Sequence, residues 1–222
     1  MMVVIIVMQA MNIVRDQGLY GEVEDLANRG GLLYRQAGSP ESAAQLLVRA
    51  AKILETREPA TSVRLYLKAA DTVGTEDRTT EAGQHMEQAA KLSVRSGQYD
   101  KAAEILESAL SCYSQSGSSA AGSPYGRVVL SFVLVQEKRG DCVAASKVWS
   151  QWGGFCDGAQ TAAAHDIISG YSERDGDLAR RGLNSPSVKA LDNDYVKMAR
   201  DMETPGGGGQ GQDGDDDDLD LC

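Results

Sequence analysis

A weak internal repeat constrains the fold of this chain more than any other feature. Five ten-residue stretches align without gaps, and their starts lie 20, 20, 39 and 43 residues apart. The stretches are 18–27, 38–47, 58–67, 97–106 and 140–149. The sixth position of each is small and apolar, namely Val23, Ala43, Val63, Ala102 and Ala145. This spacing predicts one helix about every 20 residues and one helical hairpin about every 40.

The residues that follow each turn signal have helical periodicity. In the fourth stretch, apolar residues recur at spacings of three and four, which places them on one helical face: Ala102, Ile105, Leu106, Ala109, Leu110 and Tyr113. Gly97 and Gly140 fit the left-handed position that ends a helix, and Asp100 is predicted to be an N-cap. No stretch alternates with period two, so we expect an all-α fold.

A single hairpin of this kind cannot bury its apolar stripe, so its neighbours must stack on it. The predicted architecture is a right-handed α-solenoid of tetratricopeptide-like hairpins, with helices longer than in the standard repeat of about 34 residues. We expect the solenoid to span 1–157 and a C-terminal helical bundle to span 158–204. That bundle includes a helical stretch over 186–202, and Asp192 is predicted to cap the helix that holds Tyr195, Met198 and Met202. Residues 205–222 form a Gly-rich acidic tail.

The chain begins with eight apolar residues, MMVVIIVM. A membrane-spanning helix needs about 20, and a signal peptide would need a basic start and a small-residue cleavage site. We therefore interpret 1–16 as a buried helix. An amphipathic membrane contact remains the alternative.

The charge of the chain excludes several partner classes. The net charge is −10, and six aspartates lie within 213–220, so the body is only mildly acidic. Nucleic acid is not expected as a partner, because binding its phosphates needs a basic face. An acidic lipid surface is an equally poor target for a mildly acidic body. The four cysteines form no CxxC pair, which favours reduced thiols in a cytosolic protein over a disulfide framework.

The sequence offers little support for enzyme chemistry. Only two histidines occur, His85 and His165, and neither has metal-ligand spacing with the cysteines. GGGGQG at 206–211 matches a dinucleotide fingerprint, but no predicted strand precedes it. DNDY at 192–195 lacks the glycine and the closing glutamate of a calcium loop. We expect no catalytic residues, no metal and no cofactor.

The acidic tail allows two interpretations. A run of charge is usually a solubilising, disordered end. Leu219 and Leu221 among the aspartates instead favour an arm that docks on a basic, grooved partner.

Several segments together resemble the gamma-type soluble NSF attachment proteins, from about residue 18 to the end. They are ETREPATSVRLYLKAAD (55–71), RSGQYDKAAEILESAL (95–110), LNSPSVKALDNDYVKM (183–198), PGGG (205–208) and the terminal Leu221-Cys222. Because the resemblance starts inside the family's length, it also predicts that the first hairpins, which carry a membrane-facing loop, are missing.

The resemblance implies a cytoplasmic adaptor, peripheral on vesicle and target membranes, that lies along a SNARE bundle and recruits and stimulates the hexameric ATPase NSF. It implies ATPase contacts at Asp218, Leu219, Asp220, Leu221, Glu173 and Asp175. Basic positions that alpha relatives use against the acidic SNARE bundle fall on Gln45 and Gln84. The SNARE contacts are therefore expected at Arg49, Arg64, Lys68 and Lys91. The alternative is a general tetratricopeptide-like scaffold that binds another peptide.

Overall fold

Every regular element that the structure describes is helical. The computed structural model describes residues 2–74, 78–116 and 125–206, with side chains from residue 9 onward in these ranges. The α-helices are α1 Met2–Asp16, α2 Tyr20–Gln36, α3 Pro40–Leu54, α4 Pro59–Gly74, α5 Thr79–Arg95, α6 Tyr99–Gln115, α7 Gly126–Lys138, α8 Cys142–Trp152, α9 Gly158–Ser172, α10 Gly176–Leu183, α11 Pro186–Lys189 and α12 Asn193–Arg200. A short 3₁₀ turn, Gly153–Phe155, follows α8.

Helices α1 to α8 form a solenoid of hairpins in which each helix packs against the next along the chain. Four glycines with positive φ end α1, α2, α5 and α7, namely Gly18, Gly38, Gly97 and Gly140. The predicted left-handed positions of Gly97 and Gly140 are therefore confirmed. A residue with a Cβ would be strained there, and this is why the helices stop and reverse at these points.

Side-chain contacts between residues 40 apart show that alternate helices lie side by side. Arg64 of α4 contacts Glu24 of α2. Arg95 of α5 donates to the carbonyl of Glu55, just after α3. Helices α2 and α4 therefore lie in one layer and α3 and α5 in the other, and the predicted 40-residue hairpin period is the lateral spacing of the solenoid.

The core follows the repeat. The sixth-position residues of all five stretches are at most 2% exposed. The whole predicted face of α6, from Ala102 to Tyr113, is buried as well. The Tyr113 ring occupies the space in which a Cβ on Gly83 of α5 would lie, with its nearest atom 2.5 Å away. This close approach requires glycine at position 83.

The C-terminal helices form a small bundle that packs on the solenoid. Helix α10 lies against α9, and α11 contacts α9 and α12. A Cβ on Gly170 of α9 would lie 2.4 Å from the backbone nitrogen of Ala179, so glycine lets these two helices approach closely. Helix α12 packs on α5 and α7, and residues 128–137 of α7 are buried throughout.

Two local predictions are wrong. Helix α6 begins at Tyr99, and Gln98 holds the N-cap position. Asp100 lies in the first turn, where its carboxylate accepts from Arg139 Nε at 2.7 Å. The region 186–202 is not one helix, because Asp192 has extended backbone angles (φ −57°, ψ 145°) and separates α11 from α12.

The predicted helix over residues 1–16 is confirmed from Met2 onward. Its burial is only partial among the side chains that the structure describes. Met11 is buried, whereas Ile13 is 57% exposed. Within the described ranges, no helix is both long enough and apolar enough to cross a membrane.

Candidate partner-binding surfaces

The outer stripe of α3 forms the first candidate surface. The residues of α3 that stay open to solvent recur at spacings of four, four and three: Glu41, Gln45, Arg49 and Lys52. Helix α5 lies beside this stripe, because Arg78 at its start contacts Glu41 at 3.2 Å. We call the surface formed by Gln45, Arg49, Lys52, Gln84 and Lys91 the α3–α5 face.

Arg64 and Lys68 lie on the opposite layer. Helix α4 packs against both α3 and α5, so its exposed stripe, which contains Arg64 and Lys68, faces away from them. Both side chains are engaged by α2. Arg64 Nη2 lies 3.0 Å from Glu24 Oε2, and Lys68 Nζ donates to Asn28 Oδ1 at 2.7 Å. The four predicted SNARE contacts are therefore divided between two faces of the molecule.

Lys91 lies at the border between the α3–α5 face and the C-terminal segment. Its Nζ is 3.3 Å from Asp192 Oδ2, which belongs to the connection between α11 and α12. One small cavity is lined by Lys91 and Asp192 together with Glu87, Arg127 and Tyr195. Burial raises the pKa of Glu87, while the phenol of Tyr113, which donates a hydrogen bond to it, opposes that rise.

Sequence reasoning missed Lys52, Arg127 and Asp192 as parts of this region. Lys52 is exposed three residues after Arg49, so the spacing along α3 alone could have identified it. It is close enough to His85 to help lower the pKa of that imidazole, although burial contributes more. Asp192 could not have been found in this way, because its partner lies 101 positions earlier in the chain.

Glu173 and Asp175 occupy the turn between α9 and α10, where both are exposed. Asp175 is the N-cap of α10, and its Oδ1 accepts the backbone N–H groups of Asp177 and Leu178 at 3.0 Å each. Arg174 between them has a φ of 60°. The turn therefore presents two carboxylates in a defined geometry at one end of the bundle.

The segment that leads to the tail is held beside this turn. A Cβ on Gly176 would lie 2.1 Å from the carbonyl oxygen of Pro205, and the phenol of Tyr171 donates to the carbonyl of Glu203 at 3.0 Å. The structure thus brings the root of the tail next to Glu173 and Asp175. The predicted contacts Asp218, Leu219, Asp220 and Leu221 lie outside the described residues.

The described part of the chain contains no group of three or more His, Cys, Asp or Glu side chains arranged to hold a metal ion. His165 Nδ1 lies 3.4 Å from Ser169 Oγ on the same helix, and His85 Nε2 is 3.8 Å from Glu81. Both contacts are local ones along a helix. Cys112, Cys142 and Cys156 are free thiols.

Helical hairpins stacked in two layers and followed by a small helical bundle define the class of α-solenoid proteins. The sequence model described as "Soluble NSF attachment protein, SNAP" matches residues 25–151, more than half of the chain. The chain therefore belongs to the soluble NSF attachment protein family.

One curated relative is the gamma-soluble NSF attachment protein of Arabidopsis thaliana. It is 23% identical over 189 residues, which is 84% of this chain and 64% of that protein. The chain thus spans slightly less than two thirds of the length of this relative.

Proposed function

We propose that this protein is a non-enzymatic adaptor that binds assembled SNARE complexes and recruits and stimulates the NSF ATPase for their disassembly. The observation that carries the proposal is the family match over residues 25–151, which covers α3, α4 and α5. On this proposal the protein works in the cytoplasm in vesicle-mediated transport, and it associates peripherally with membranes through the SNAREs.

The α3–α5 face is the proposed SNARE contact. A four-helix SNARE bundle is long and acidic, and an acidic partner is attracted by exposed cations on one continuous surface. Arg49 and Lys52 supply exposed cations from α3, and Lys91 of the adjacent α5 is a third cation that is partly buried beside Asp192. Arg64 and Lys68 face the other way, so one rigid bundle cannot contact both sets. We therefore assign the SNARE contact to the α3–α5 face.

The turn containing Glu173 and Asp175, together with the tail, is the proposed NSF contact. The carboxylates would steer the protein to a basic ring, and Leu221 and Leu219 would anchor it through apolar contact. The closeness of the turn to Pro205 and Gly206 supports this assignment, because both acidic elements then reach the same partner from one end of the adaptor.

The test is NSF-driven disassembly of a purified SNARE complex with this chain as the only adaptor. We expect ATP-dependent disassembly. We also expect that removal of Leu219 to Cys222 abolishes ATPase stimulation and leaves SNARE binding and helical circular dichroism intact. Stimulation by the truncated chain equal to that of the full chain would reject the role of the tail. Failure of the full chain to bind the SNARE complex would reject the adaptor assignment.

A further inference from the structure

Asp192 does not make the hydrogen bond that its position favours. Four other helices in the described chain begin at a polar N-cap whose side chain accepts a backbone N–H: Asp141, Asp157, Asp175 and Ser185. Asp192 holds the same position at the start of α12, yet its carboxylate accepts no such hydrogen bond. It lies against Lys91 of α5 instead, with an Nζ–Oδ2 distance of 3.3 Å. One oxygen of the carboxylate therefore pairs with Lys91, while neither oxygen caps the first turn of α12.

This ion pair lies where the C-terminal segment meets the α3–α5 face. The Lys91 side chain is only 21% exposed, whereas that of Asp192 is 56% exposed. Lys91 is thus partly withdrawn from the surface by a residue that is itself open to solvent. An ion pair with one well-exposed member contributes little net stability, so an acidic partner that presents several carboxylates can replace Asp192 at Lys91.

We propose that the Lys91–Asp192 pair is a latch that couples partner binding to the C-terminal segment. An acidic helical partner on the α3–α5 face competes with Asp192 for Lys91, and its binding frees Asp192 to cap α12. The inference rests on the proposed SNARE contact. Because such coupling is reciprocal, the latch lowers the affinity for the acidic partner, and the partner loosens the attachment of α12 to α5.

The segment that the latch controls leads directly to the proposed NSF contact. After α12, Lys138 Nζ donates to the carbonyl of Asp201 at 2.8 Å, and the chain then passes Glu203 on its way to the turn at Glu173. A change in position at the start of α12 would therefore alter the position of residues 203–206, which lead into the tail. In this way an occupied SNARE face would alter the end of the adaptor that meets the ATPase.

The first experiment needs no partner. Asp192→Ser keeps a good N-cap residue but has a side chain too short to reach Lys91. Asp194→Ser removes one negative charge from the first turn of the same helix and is the matched control. The rate at which an amine-directed acylating reagent modifies Lys91 is followed by mass spectrometry. We expect a rate increase of roughly two- to fivefold in Asp192→Ser, the factor that a weak ion pair supplies, and no increase in Asp194→Ser.

The second experiment adds a purified soluble SNARE four-helix bundle at fixed ionic strength. We expect Asp192→Ser to bind it roughly two- to fivefold more tightly than the unmodified chain, with Asp194→Ser unchanged. In the unmodified chain, we expect bundle binding to slow hydrogen exchange of the first-turn amides of α12, because Asp192 then caps them.

The outcomes separate the latch from the proposed function. Unchanged acylation of Lys91 in Asp192→Ser would overturn the latch even if the bundle binds. Faster acylation with unchanged bundle affinity would overturn the coupling of the latch to the partner. Faster acylation in a protein that fails to bind the bundle at all would reject the SNARE contact, and with it the coupling, but would retain the ion pair as a structural restraint on Lys91.

Discussion

Arg64 on α4 pairs with Glu24 on α2, with 3.0 Å between Nη2 and Oε2, and the two residues are one 40-residue repeat apart. One turn further along both helices, Lys68 contacts Asn28 across the same 40-residue interval. These contacts link neighbouring helices of one layer, and they give Arg64 and Lys68 a structural explanation that needs no partner. The cations of the α3–α5 face lie on the other layer, which leads to the first prediction.

Neutralising Arg49 and Lys52 together should weaken binding of a SNARE bundle by roughly five- to tenfold, because both cations face the proposed contact. The matched control, Arg64→Gln with Lys68→Gln, removes the same charge from the opposite layer and should leave binding within about twofold. Affinity measured by fluorescence anisotropy at two salt concentrations checks both variants. A larger loss of affinity in the variant with Arg64→Gln and Lys68→Gln would show that the SNARE bundle binds the opposite layer and would contradict the proposed contact.

Neutralising the turn between α9 and α10 should weaken NSF recruitment without destabilising the bundle. Asp175→Asn retains a good cap for α10, because asparagine accepts the same backbone hydrogen bonds, and Glu173→Gln changes only charge. The double variant should need several-fold more adaptor for half-maximal ATPase stimulation, because both carboxylates steer the encounter. An unchanged titration curve with unchanged melting temperature would remove this turn from the NSF contact.

Substitutions at two helical glycines should affect stability in opposite directions. A Cβ on Gly31 would meet Leu47 at 3.8 Å, an ordinary contact, so Gly31→Ala should stabilise the protein by about 0.5–1 kcal/mol through helix propensity. A Cβ on Gly170 would lie 2.4 Å from the backbone of α10, so Gly170→Ala should destabilise it by about 1–3 kcal/mol. Urea denaturation followed by circular dichroism measures both changes, and a stabilised Gly170→Ala variant would contradict the packing described for α9 and α10.

Glu137 should make stability depend on pH near neutrality. Its side chain is buried, with the residue 4% exposed, and neither carboxylate oxygen accepts a hydrogen bond. Burial, opposed by the Cys142 thiol and assisted by the charge of Asp141, raises the pKa of Glu137 to about 7. Tyr171 also lies close, since Glu137 adds to the increase in the pKa of that phenol.

The folded state therefore holds a proton on Glu137 that the unfolded state releases above its own pKa of about 4.3. Stability is greatest below that value and falls as the pH rises towards about 7. Glu137→Gln should remove a loss on the order of 2 kcal/mol between pH 5 and pH 8. Exposed Glu107→Gln is the control, and parallel pH profiles for the wild-type chain and Glu137→Gln would show that this carboxyl is not protonated.

Local sequence patterns were enough to predict the helices and the hairpin period. The apolar positions of α6 recur at spacings of three and four, and Gly97 and Gly140 reverse the chain, so short-range geometry and the need to bury each stripe determine these features. The wrong prediction for Asp100 came from a local pattern. Asp100 has the chemistry of a cap, yet α6 begins at Tyr99, and the Asp100 carboxylate pairs with Arg139, which directly follows α7.

The sequence by itself determined that this chain folds as stacked helical hairpins, because the repeat places one small apolar residue at the same position in each of the five aligned stretches, and all five are buried. Only the tertiary structure decided which cations share a face. Arg49 and Arg64 are both exposed arginines, but α3 and α4 lie in different layers, so the two side chains lie on opposite faces. The pairing of Lys91 with Asp192 was likewise decided by packing of α12 on α5, a contact between distant segments that no local pattern encodes.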